Sequence, residues 1–157
     1  MTHDLPETGP ETIEQVAIHM LSMHDDLLDE DEDFPETMDE ATALEIVRRE
    51  YVSGTCGAFA IALHDLTGWP IVGINGGMHL AVRSTDGTIL DYMGLDDLKT
   101  VLRRYGMVRA PVLEWTRDET VEHVLMGYDE ERHPWDDVAV ARWVADRGGP
   151  WTRHVPG

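Results

Sequence analysis

Eight consecutive apolar residues, Cys56-Gly57-Ala58-Phe59-Ala60-Ile61-Ala62-Leu63, constrain this chain more than any other feature. With no polar face to turn to water, such a segment must be buried on every side. It falls well short of the roughly 18 apolar residues that would mark a membrane span. Ser53-Gly54-Thr55 is expected to break the chain ahead of it, with Thr55 as helix N-cap and Gly68 as helix stop. A buried helix over about 56–67 follows. Three short strand candidates come next, Pro70–Ile74, Met78–Ser84 and Thr88–Met93, separated by the turn signals Asn75-Gly76-Gly77 and Thr85-Asp86-Gly87. A buried helix beside a small antiparallel sheet is an α+β arrangement.

The remaining segments fill in that plan. Helical spacing is predicted from Thr12 through Leu28, from Asp39 through Tyr51, over Leu95–Tyr105 and over Glu119–Met126. A last helix is expected from Pro134 to Ala145, ended by Gly148-Gly149-Pro150, and a further strand over Val108–Trp115. The chain of 157 residues is read as a flexible arm 1–10, one α+β domain 11–150 with a single hydrophobic core, and a tail 151–157. Trp69, Trp115, Trp135 and Trp143 are expected in the core, and Trp69 and Trp151 are candidates to line a cleft.

Charge narrows the function. The net charge is −19, from 31 acidic against 12 basic Lys and Arg residues, which excludes direct binding to a nucleic-acid backbone or an anionic membrane. Sixteen of the acidic residues fall in the first fifty positions, where only Arg48 and Arg49 oppose them. The run Asp29–Asp33 repels itself, so 29–38 is read as a solvated loop. Its Asp29, Asp31, Asp33 and Glu40 match calcium-loop positions, but Phe34 stands where that loop needs glycine. Leu5-Pro6-Glu7-Thr8-Gly9 spells a sortase motif without the following apolar tail. His19 and His24 are five apart, off the spacing for a metal pair on a helix. With one cysteine there is no disulfide framework and no Cys-rich metal site. No metal and no cofactor are called for, and no leader or apolar span is seen, so a cytoplasmic location is expected.

Cys56 at the first turn of a buried helix has two readings. It is either a small apolar core residue or a nucleophile whose thiolate is favoured by the helix N-terminus. The hairpin that follows bears on the choice. A two-residue loop, Asp86-Gly87, would send His79 and Asp91 to opposite faces. A three-residue loop, Thr85-Asp86-Gly87, sets Ser84 against Thr88 and makes His79 and Asp91 diagonal neighbours on one face. It also sends Leu80, Val82, Leu90 and Tyr92 to the core. An imidazole oriented by a carboxylate is the base that a nucleophilic cysteine requires.

The segments Gly54-Thr55-Cys56-Gly57, Ala62–Pro70, Met78-His79-Leu80-Ala81-Val82 and Asp86–Asp91 together resemble the papain-like cysteine hydrolase superfamily, in particular its compact bacterial and phage members. The resemblance covers about 45 residues. It implies a Cys-bearing helix packed on a small antiparallel sheet, with Cys56 as nucleophile, His79 as general base and Asp91 as its orienting group. It also implies a peptidase, deamidase or acyl transferase acting on a peptide, a protein side-chain amide or a small amide. The Cys–His interval is only 23 residues, far shorter than in true papains. Papain has a glutamine six residues before its cysteine; here that position is Glu50, whose charge opposes an oxyanion. A backbone N–H at Cys56, helped by Ser53 or Thr55, is the expected substitute. Glu50, Ser53, Thr55 and Trp69 are thus the expected site-lining residues. The alternative is an acidic binding protein, or a nucleic-acid mimic, with a non-catalytic core of this type.

Overall fold

A computed structural model describes residues 9–23, 38–125 and 136–152. The expectations for the arm 1–8, including most of the sortase-like motif, fall outside the described residues. So do those for the acidic run, His24, Pro134 and Trp135, and for 153–157.

Strands β1 (Ile71–Ile74), β2 (His79–Arg83), β3 (Ile89–Asp91), β4 (Gly94–Asp96) and β5 (Val112–Trp115) form one antiparallel sheet in the order β4-β3-β2-β1-β5. Helices α1 (Ile13–Met23), α2 (Glu40–Arg49), α3 (Cys56–Thr67), α4 (Leu98–Arg104), α5 (Arg117–Leu125) and α6 (Asp137–Arg147) complete the α+β architecture. Among the described residues no helix is long and apolar enough to cross a membrane.

Register follows from the hairpin turn. Val82 pairs with Leu90 and Arg83 with Ile89, and the Ser84 amide donates to Thr88 O at 2.9 Å. That is the three-residue loop. Gly87 takes φ +89°, a left-handed value that suits glycine. Asp86 accepts from Ser84 Oγ and from the Thr88 hydroxyl and amide, and these bonds hold its pKa down at about 2. Leu80, Val82, Leu90 and Tyr92 accordingly join the main core, where α3 is buried along its apolar run beside α1, α2 and α6.

Four features depart from the sequence reading. The break ahead of α3 narrows to Thr55: α2 continues into a π-helical turn, Glu50–Gly54, and Thr55 N–H donates to Glu50 O at 2.8 Å. Thr55 takes the N-cap position of α3 but makes no side-chain cap bond among the described residues. The segment 95–105 is not all helix. Gly94, at φ +106°, lets β3 turn back as β4, and α4 starts only after Asp97, which caps it by accepting from Thr100 N at 2.7 Å. The opposite sheet face is also apolar: Val72, Ile74, Ala81 and Ile89 form a second, smaller cluster with Val101 and Leu102 of α4. Finally Trp151, assigned to the tail and to a cleft, is 1% exposed, packed edge-on against Phe59 and hydrogen-bonded to Ala145 O at 3.0 Å.

Candidate active site

His79 and Asp91 project from neighbouring strands onto the α4 side of the sheet. The hairpin register makes them diagonal neighbours, and His79 Nε2 lies 2.8 Å from Asp91 Oδ2. Both are nearly enclosed, at 1% and 4% exposure. The carboxylate is held by two further groups. The Met93 amide donates to Oδ1 at 2.9 Å, and Arg104 of α4 approaches Oδ2 at 3.2 Å. The other guanidinium nitrogen of Arg104 donates to Asp96 on β4 at 2.6 Å. Asp91 is therefore locked in place, and through it the imidazole.

Cys56, the first residue of α3, lies within hydrogen-bonding reach of the same imidazole. Its neighbour Gly57 sits where a Cβ would meet Leu80 Cδ1 at 3.1 Å and Val124 Cγ2 at 3.0 Å, so the absent side chain sets how closely this end of the helix approaches the sheet. Burial lowers the pKa of His79, but its hydrogen bond to Asp91 and its coupling to Cys56 outweigh that cost and raise it from 6.5 to about 9. At neutral pH the ring is an imidazolium, and Cys56 beside it is only 6% exposed. The structure thus brings Cys56, His79 and Asp91 together.

The other expected lining residues are elsewhere. Glu50 and Thr55 line a small cavity with His19, Tyr51, Asp137 and Val140, on the α1 and α6 side, which neither His79 nor Asp91 lines. The Thr55 hydroxyl oxygen is buried there with no hydrogen-bond partner among the described residues. Ser53 belongs to the π turn, and its side chain lies outside what the structure describes. Trp69 follows the far end of α3, about 17 Å of helical rise from Cys56. It packs against the core, and its carbonyl oxygen lies 2.7 Å from His64 Nδ1.

The sequence does not single out as site residues Tyr105, at the site, or Trp115 and His123, around glycines near it. Tyr105, one residue past α4, stacks on His79 with ring centroids 4.6 Å apart and donates its hydroxyl proton to Val52 O at 2.6 Å. Trp115 lies flat over Gly73, occupying the space where a Cβ would stand, and meets His123 edge-on at 5.3 Å. The exposed His123 in turn borders Gly57. Among the described residues no group of three or more His, Cys, Asp or Glu side chains is placed to hold a metal ion. No family model, no curated protein and no solved structure matches the chain.

Proposed function

We propose that this chain is a small papain-like cysteine hydrolase or transferase acting on an amide or thioester carbonyl. The observation that carries the reading is the His79–Asp91 pair at 2.8 Å, coupled through His79 to Cys56 at a helix N-terminus. In this reading the Cys56 sulfur attacks the carbonyl carbon and forms a thioester. His79 gives its proton to the departing amine or thiol, then draws a proton from the water or acceptor that resolves the thioester. Asp91 keeps Nε2 protonated, so that Nδ1 carries the transferred proton. Backbone N–H groups at the start of α3 are the donors left for the oxyanion, since Glu50 faces the other cavity. Peptidase, deamidase and acyl transferase share these steps.

The enclosure of the thiol favours a second reading, in which the triad is a buried polar pin in a binding protein. Alkylation separates the two. Treated with iodoacetamide at pH 6–7, Cys56 of the hydrolase labels faster than a free thiol, and His79→Ala slows labelling about a hundredfold. Labelling that needs denaturant, or that ignores His79→Ala, overturns the proposal in favour of the structural pin.

A further inference from the structure

Tyr105 touches the base and the segment leading to the nucleophile at once. Its hydroxyl oxygen is 2.9 Å from His79 Nδ1 and 3.5 Å from Nε2. An oxygen lying in the ring plane on the axis of one nitrogen could not stand so nearly equidistant from both. It therefore rests over the imidazole face, in keeping with the 34° tilt between the rings. Burial, reinforced by the negative charges of Asp91 and Cys56, raises the Tyr105 pKa, so it remains a phenol with a single proton. Val52 O, which can only accept, takes that proton at 2.6 Å. The hydroxyl lone pairs and the electron-rich ring are left facing the imidazole, where they favour its cationic form. Val52 lies in the π turn, four residues before Cys56, and that turn enters α3 without a side-chain cap.

We propose that Tyr105 is a positioning residue: resting on His79 while its hydroxyl holds the Val52 carbonyl, it fixes the spacing between the base and the segment that carries Cys56. The proposal rests on the cysteine hydrolase reading only for its importance to catalysis; the brace itself is measurable without a substrate. The charged groups around the ring are Asp91 from β3 and Cys56 from α3, with Arg104 of α4 and Asp96 of β4 behind Asp91.

Tyr105→Phe keeps the ring and removes the anchor. It is expected to lower the His79 titration midpoint, followed by NMR of its ring nitrogens, by about one pH unit and to slow Cys56 alkylation at pH 7 about tenfold. Tyr105→Leu, which removes the stacking as well, lowers the midpoint further. A role in packing alone would reduce thermal stability and leave the midpoint where it is, and that result overturns the proposal. In the unsubstituted protein the Tyr105 hydroxyl proton should exchange slowly with water; exchange at the rate of a free phenol overturns the brace even if Tyr105→Phe does not fold. A His79 midpoint that responds to Tyr105→Phe while Cys56 ignores His79→Ala would refute the hydrolase reading and keep the brace.

Discussion

The two ends of α3 are built on different principles. Its C-terminal end is finished locally: Gly68 turns left-handed at φ +77°, its amide donates to His64 O at 2.8 Å, and the Thr67 hydroxyl bonds back to Leu63 O at 2.7 Å. Each of these capping partners lies within a few residues, and the distant partner at this end, Arg117 on Asp65, is a surface pair outside the cap. The N-terminal end has no side-chain cap, opens from a π turn, and is positioned by groups from β2, β3 and the segment after α4. An end held by its own sequence neighbours is interchangeable with many helix ends. An end held by distant polar groups has a unique geometry, and there Cys56 sits.

If the ends differ in this way, the largest response should come from pH and should arise at the N-terminal end. The His79 pKa is raised from 6.5 to about 9 on folding, so its contribution is fully present below pH 6.5 and is lost as pH rises through 9. The loss amounts to about 3 kcal/mol, read as a falling denaturation midpoint over that window. In His79→Gln this slope should vanish. A wild-type midpoint that stays flat from pH 6.5 to 9 would break the comparison.

Two glycines of the same helix sharpen it. Gly57→Ala would bring a Cβ against Leu80 and Val124 at 3.0–3.1 Å, and should cost about 1–3 kcal/mol while changing the rate of Cys56 alkylation. Gly68→Ala meets nothing within 4 Å, and its cost is the left-handed backbone alone, about 1 kcal/mol by chemical denaturation. Cys56 should label at the wild-type rate in that variant. Altered labelling in Gly68→Ala would show that the two ends are coupled after all.

The same division explains what could be read from sequence. The C-terminal end of α3 was legible because Thr67-Gly68 states its own geometry. The hairpin was legible because Asp86 and Gly87 select a three-residue loop, and one register satisfies both the apolar alternation and the His79–Asp91 pair. Glu50 was misplaced because it was assigned from its place six residues before Cys56, by resemblance, whereas it opens the π turn and lines the cavity with His19 and Asp137. Trp69 was misplaced because closeness to Cys56 in sequence is opposed by the whole length of a helix. Tyr105 carries no local mark at all. It lies 26 residues from His79 and 53 from Val52, and only the placement of α4 on the sheet brings the three together. β4 was hidden because Gly94-Leu95-Asp96 is too short to display an alternation.

Trp151 has a consequence for how the protein is made. Its indole closes an aromatic group with Phe59 and Tyr92, ring centroids 4.8 and 4.9 Å away, and Tyr51 packs edge-on against Phe59. Phe59 belongs to the first half of the chain, whereas Trp151 is synthesised after every helix and strand described here. A nascent chain that has already emerged through α6 therefore still presents an unfilled aromatic socket, and translation must pass codon 151 before that socket can be plugged. During this interval the apolar helix that carries Cys56 is the surface most in need of shielding from other nascent chains.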